Sequence, residues 1–272
     1  MFSTTYRLLY LLKRIMVLLA NCCVKEEEVP MRVLIISDIH ANLVALETVL
    51  EDAKGQWDTL WCLGDVIGYG PDPNECAAIL KDLAQITLSG NHDWAVLGKI
   101  DINTFNRDAR VAITWTQETI TEDTRQYLDS LPAMIIRDPF TLAHASPRYP
   151  VWEYILDKGT AAINFAYFDT PWCLVGHTHT PVIFEEVDGI RVAIHAPNYK
   201  ERLHLNGNRL IINPGSVGQP RDSDPRAAYA ILDMEKMSWE YRRVAYPFEE
   251  TQERMRRHGL PQRLIARLEF GW

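Results

Sequence analysis

The sequence predicts an α/β domain of two stacked sheets with helices packed outside them, and three observations carry that expectation. Short apolar runs alternate with helix-like segments through the first half of the chain. The second half changes to β segments joined by Asp-Gly, Asn-Gly and similar turns. Five of the apolar runs end in Asp, Asn or His, residues poorly suited to a strand end unless they find partners. The first pattern belongs to a layered α/β sheet and the second to antiparallel strands. The third bears on function.

The elements follow in order. RVLIIS (32–37) reads as a buried strand. In NLVALETVLEDAKG (42–55), Leu43, Leu46, Leu50 and Ala53 share one helical face, Asn42 can cap the start and Gly55 can close the end. TLWCLG (59–64), QITLSG (85–90) and PWCLVG (171–176) repeat an apolar run followed by Gly, as parallel-type strands do. Residues 106–130 contain neither Gly nor Pro, and Ala109, Ala112, Ile113 and Ile120 are spaced for two helices. Segments 181–196, 202–213 and 227–246 read as an antiparallel meander, and 247–269 returns to helical spacing. Tyr229, Trp239 and Tyr241 are spaced for packing on a sheet.

The 272 residues, 47% of them hydrophobic, suffice for one large core, and no repeat or linker divides residues 31–272. A net charge of −8 argues against stable nucleic-acid binding. A phosphate-bearing ligand would therefore need a local source of positive charge. Cys62, Cys76 and Cys173 lie in or beside apolar segments without CxxC spacing, which reads as buried free thiols in a reducing, cytoplasmic setting. Residues 1–30 read as an N-terminal extension, with Met31 opening the first core strand. Lys13 and Arg14 at its middle make a poor membrane span, and Asn21 spoils a lipoprotein-type export signal before Cys22.

The strand ends carry the chemistry. Asp38 and His40 follow the first run; Asp65 follows the second; Asn91, His92 and Asp93 follow the third; His144 follows FTLA, and His177 and His179 follow WCLV. In open α/β sheets such positions converge on a ligand site. Two Asp, one Asn and four His give oxygen and nitrogen donors without thiolate, a set for first-row divalent ions: Mn, Fe, Ni, Co or Zn. Seven donors exceed one four-coordinate ion and suit two ions bridged by a carboxylate. Such a pair can activate water and attract phosphate to an acidic protein.

In this order, Asp38-Ile-His40, Gly64-Asp65, Gly90-Asn91-His92-Asp93, His144 and Gly176-His177-Thr178-His179 resemble the full signature of the calcineurin-like metallophosphoesterase superfamily, over residues 31–222. The compact bacterial and archaeal phosphodiesterase branch also carries an Asn-Pro-Gly-Ser loop similar to 213–216. The resemblance implies a four-layer α/β/β/α sandwich. It implies one metal, with Mn favoured, on Asp38, His40 and His179, a second on Asn91, His144 and His177, and Asp65 bridging them. By the same resemblance His92 is the general acid, Asp93 orients it, and a metal-bridging hydroxide attacks a phosphate ester. Diester hydrolysis is favoured. Several small diesterases of this branch lack a counterpart of His92, so a phosphomonoesterase and a dinucleoside polyphosphate hydrolase are alternatives; the retromer scaffold subunit, which has this fold, adds a protein-binding scaffold, against which the complete ligand set and His92 argue.

Around this signature, Arg148, Tyr149 and Arg221 are candidate phosphate partners, and Tyr69, Trp94 and Asn106 candidate pocket walls. His195, His204 and His258 stand outside any motif and read as structural. The glycines of 64–70 lack dinucleotide-fingerprint spacing, and Ser216 lacks a nucleophile elbow. The oligomeric state is not legible.

Overall fold

The computed structural model describes residues 31–189 and 191–272; the readings made of residues 1–30 lie outside them. The described residues form two six-stranded mixed sheets. In the first, β1 (Arg32–Ile36) runs parallel to β2 (Thr59–Cys62), and β2 to β3 (Ala84–Thr87). Helices α1 (Leu43–Asp52) and α2 (Pro73–Leu83) connect these strands, and the short α3 (Asn91–Val96) follows β3. Helices α4 (Arg107–Thr119) and α5 (Glu122–Asp129) fill the region read as two helices, each opened by a side-chain cap, from Asn106 and Thr121.

The second sheet begins with the antiparallel pair β4 (Met134–Arg137) and β5 (Phe140–Ala143). Helix α6 (Lys158–Asn164) then leads to β6 (Trp172–Leu174), parallel to β5. Strands β7 (Val182–Glu186), β8 (Val192–His195) and β10 (Leu210–Asn213) complete that sheet in the order β4-β5-β6-β10-β7-β8. The short β9 (Leu203–His204), β11 (Ala227–Asp233) and β12 (Ser238–Val244) join the first sheet, ordered β3-β2-β1-β11-β12-β9. Helices α7 (Phe248–Arg257) and α8 (Gln262–Phe270) close the chain.

Alternation along β1 shows how the layers form. Val33 and Ile35 enter the core between the sheets with Trp61, Phe140, Leu174, Ile212 and Trp239. Leu34 and Ile36 point the other way, into a second core with Leu46 and Val49 of α1 and Leu80 of α2. On the far side, Cys173 and Ile211 pack against Ala161 of α6 and Phe165. Both sheets are thus covered on both faces, which explains strands that read as continuous apolar runs, and the layers stack as α/β/β/α. Tyr229 packs toward the helices, while Trp239 and Tyr241 pack between the sheets.

The expected meander holds only in part. RLHLNGNRLIIN is not a hairpin: β9 pairs with β12 in the first sheet, while β10 inserts between β6 and β7 in the second. Asn206-Gly207 turns the chain from one sheet to the other. The residue types of a turn specify a reversal of direction but not which sheet receives the next strand.

The parallel strands β1, β2 and β3 and the parallel strands β5, β6 and β10 deliver the polar segments to their carboxyl ends. No helix among the described residues is long and apolar enough to cross a membrane.

Candidate metal centre

All seven candidate ligands are buried, none exposed beyond 4%. Two groups of ligand atoms form, the atoms of each lying within 4.8 Å of one another: Asp38, His40, Asp65 and His179 in one, and Asp65, His144 and His177 in the other. Asn91 joins the second group, its Oδ1 being 3.3 Å from His144 Nε2. Asp65 alone belongs to both.

The turns that carry these residues are bent sharply. Asp38, His40, Asp65, His177 and His179 all have φ between +50° and +64°, a left-handed conformation rare for residues with a Cβ. It is imposed by cross-bonding between the strand ends: Asp38 N–H donates to Gly64 O (3.0 Å) and His40 N–H to Asp65 O (3.0 Å). The loop 213–216 adds further ties. Asn213 Nδ2 donates to Gly176 O (2.6 Å), and Ser216 Oγ donates to Asp38 O (2.7 Å). Ser216 is fully buried in this scaffolding role, in keeping with its lack of a nucleophile elbow.

Two of the glycines that close apolar runs, Gly90 and Gly176, have their cause here. A Cβ on Gly90 would lie 2.0 Å from Asp65 Oδ1 and 2.5 Å from Asp65 N, and one on Gly176 would lie 2.0 Å from Ser37 Oγ. The strand ends approach too closely for any side chain. Gly90→Ala is therefore expected to displace Asp65 and to abolish stabilisation by added Mn²⁺ in thermal melts. A variant that kept the wild-type metal-induced shift would contradict this packing account.

The donor set fits divalent cations on the protein's own bonding. Nδ1 of His40, His144 and His179 is engaged by the carbonyls of Ile67 (3.3 Å), Leu63 (2.9 Å) and Gln219 (2.6 Å), so each turns Nε2 toward the centre. The Nε2 atoms of His40 and His179 stand 3.0 Å apart; with both Nδ1–H groups donating, two lone pairs face each other unless a cation lies with them. Asp65 Oδ2 and His177 Nε2 are buried without a hydrogen-bond partner, each costing about 1–3 kcal/mol if left so.

Electrostatics agree. Burial, opposed by His144 and reinforced by Asp65, pushes Asp38 up to about 6. Asp65 lies well below the usual carboxylate range because His144, His92 and His40 outweigh its burial. Burial holds His40 and His179 well below the ordinary imidazole value and takes His177 down to about 3. His144 goes the other way, to about 9, as the Asp65 charge overcomes burial. Asp65 Oδ2 stands 3.4 Å from His144 Nε2, so the cluster already sets positive charge against this carboxylate, as a cation would.

His92 and Asp93 take different positions. The His92 ring lies 4.2 Å from Tyr69 and 5.2 Å from Phe105 between centroids and faces a cavity of about 190 Å³. Its backbone N–H donates to Asp65 Oδ1 (2.9 Å), and burial lowers its pKa to about 4. The resemblance implies that Asp93 orients His92. Asp93 makes no hydrogen bond to the His92 ring; its carboxylate accepts the N–H groups of Gly90 (2.8 Å), Ile67 (3.1 Å) and Val66 (3.3 Å). At the third position of α3, Asp93 turns back onto the helix start. It clamps the turn after β2 to the turn after β3, on which His92 stands.

Among the peripheral candidates, Arg221 reaches the centre. Its backbone N–H donates to His179 O (3.3 Å), its guanidinium lies over Tyr69 at 5.8 Å, and its Nε is buried without a partner. Arg148 does not: it is paired to Glu153, which also binds Ser146 and Asn164. Tyr149 is 58% exposed and does not line the cavity. Adjacency to His144 in sequence misled here, because the chain turns away at Ser146-Pro147. Tyr69 and Asn106 line the cavity, whereas Trp94 lies beneath Lys99. Sequence reasoning missed Tyr154, stacked on His177 at 3.8 Å, and Phe105 and Trp152, edge to face at 5.4 Å. No motif surrounds these aromatics; only the fold brings them to the cavity. His195 pairs with Glu185 (2.6 Å) and His258 packs on Trp115, both away from the centre.

Comparison with known proteins agrees with this geometry. The chain is 37% identical over 244 residues to the uncharacterized protein MJ0912 of Methanocaldococcus jannaschii, covering 87% of this chain and 97% of that one. A metallophosphoesterase from Sphaerobacter thermophilus superposes with a TM-score of 0.83 at 49% identity, over 89% of this chain and all of the other. The hypothetical protein PH1004 of Pyrococcus horikoshii shares the fold, with a TM-score of 0.72 at 19% identity over 89% and 99% of the two chains. Residues 31–237 match the model of the calcineurin-like phosphoesterase superfamily domain, and with a buried Asp/His cluster at its strand ends the chain belongs to that family.

Proposed function

We propose that this protein is a dinuclear-metal phosphoesterase acting chiefly on phosphodiesters. One observation carries the reading: the Asp65 carboxylate is common to two buried ligand groups. Asp38, His40 and His179 would hold one ion with Asp65, and Asn91, His144 and His177 the other. Two divalent ions so held, with Mn²⁺ favoured, would supply a nucleophilic water at neutral pH and positive charge for the developing phosphorane. The protein's groups do the rest. Arg221 has a buried Nε–H without a partner and a guanidinium over Tyr69 of the cavity wall, from where it can take a non-bridging phosphate oxygen. His92 lines the cavity where a leaving oxygen would depart and can give it a proton. The aromatic walls formed by Tyr69, Phe105, Trp152 and Tyr154 suit an organic ester group, which favours a diester over a bare monoester. Three buried free cysteines suit a cytoplasmic setting.

Protein loaded with Mn²⁺ is expected to cleave bis-p-nitrophenyl phosphate with a higher kcat/KM than p-nitrophenyl phosphate. Far faster turnover of the monoester would overturn the diester preference. No metal-dependent turnover of either would favour a scaffold.

A further inference from the structure

Beside the catalytic cavity lies a second one of about 330 Å³, lined by Asn106, Arg107, Asp108, Arg263, Leu264 and Arg267. Asn106 lines both. Three guanidinium groups face one carboxylate here, in a protein whose net charge is −8. Several other surface arginines are paired with acids, as in Arg32–Asp58, Arg202–Glu240 and Arg226–Asp224. The side chains of Arg107 and Arg263 make no hydrogen bond or ion pair among the described residues. Arg267 donates to Gln219 Oε1 (3.0 Å), and so does Arg221 (2.8 Å). The Gln219 carbonyl in turn holds His179 (2.6 Å). A line of guanidinium groups thus runs from the metal cluster through Arg221 and Arg267 to Arg263 and Arg107. Crowding shows in Arg267, whose pKa falls to about 10 through burial and the neighbouring Arg221. The cavity also adjoins the start of the 13-residue α4, where the helix dipole favours an anion.

Unpaired arginines gathered in a concavity are held against their mutual repulsion, and an anion relieves it. We propose that this cavity is a second phosphate site, which takes a phosphate carried by the substrate beyond the one that is cleaved. The proposal rests on the phosphoesterase reading and narrows it to esters with two separated phosphate groups.

The test uses two esters with the same leaving group, thymidine 5′-(p-nitrophenyl phosphate) and its 3′-phosphorylated counterpart. Wild-type protein loaded with Mn²⁺ is expected to favour the 3′-phosphorylated ester by about tenfold in kcat/KM through a lower KM, the size of one charge-assisted hydrogen bond. Arg107→Ala with Arg263→Ala should erase that preference and leave the singly phosphorylated ester within about twofold, since neither side chain bonds to the rest of the fold. Unaltered preference in the double variant overturns the proposal. So does inorganic phosphate changing the rate on the singly phosphorylated ester without competing with it, which would make the cavity a regulatory site. A second readout needs no turnover. Tripolyphosphate titrated calorimetrically into metal-free protein should bind about tenfold more weakly to the double variant, and equal binding counts against the site. If neither ester is cleaved while this binding difference persists, the phosphoesterase reading fails and the anion site stands.

Discussion

Asp65→Asn is expected to leave a folded protein that has lost its metals and about a thousandfold or more of its rate. The asparagine keeps an oxygen for the His92 amide, which Asp65 Oδ1 accepts at 2.9 Å, so the turn after β3 retains its anchor. What disappears is the charge common to both ligand groups. The same change relieves two neighbours, because Asp65 is among the causes that raise Asp38 to about 6 and Asp93 to about 7, after burial in each case. It also removes the anion that holds His144 at about 9. These effects oppose one another, so metal-free stability should change little. The holo form behaves differently: an ion at one hundred times its Kd stabilises a protein by about 2.7 kcal/mol per site, and that increment should vanish. Elemental analysis and melts with and without Mn²⁺ separate the two forms. Two bound ions per chain, or a rate within about tenfold of wild type, would sink the bridging role of Asp65.

The strained turns make the loss of metal more than a local matter. Five of the seven candidate ligands hold a left-handed backbone, each typically costing about 1 kcal/mol or more. A fold keeps such residues only where surrounding bonds leave no alternative. Here the alternatives are closed by amide-to-carbonyl bonds between different strand ends and by glycines that admit no side chain. The donors are therefore held in place before any ion arrives, which lowers the ordering cost of binding.

Much of this was legible in the sequence. Apolar runs closed by Gly and a polar residue gave both the strands and the ligands, because one physical cause, the close approach of strand ends at a buried polar site, writes both into the chain. The helix over 107–119 was legible through its spacing, whereas the Asn106 cap emerged only in the fold. The hidden features were those set by which element neighbours which. The β9–β10 segment carries hairpin residues yet divides between sheets. Arg148 follows a ligand in sequence but satisfies Glu153 instead. Tyr154, Phe105 and the three arginines around Asn106 come together from segments far apart along the chain, and no local spacing records that meeting.

His92→Ala should separate proton delivery from metal binding. The ring is not among the clustered ligand groups, so the variant is expected to keep its full metal content and its metal-induced thermal shift. Its chemistry should depend on the leaving group. Nitrophenolate departs with little need of a proton, whereas an alkoxide must be protonated, and general acids contribute about 10²- to 10⁴-fold in such cases. The expected result is a loss of that order on alkyl esters and less than about tenfold on nitrophenyl esters. Burial lowers the His92 pKa to about 4, so the ring is neutral near pH 7 until something raises its proton affinity. An anionic ester in the adjoining cavity would do so, by placing negative charge beside a buried imidazole. The acid would then be charged chiefly in the complex, and free protein would avoid a further cationic group next to Arg221. Equal losses on both kinds of ester would show that His92 shapes the cavity without giving up a proton.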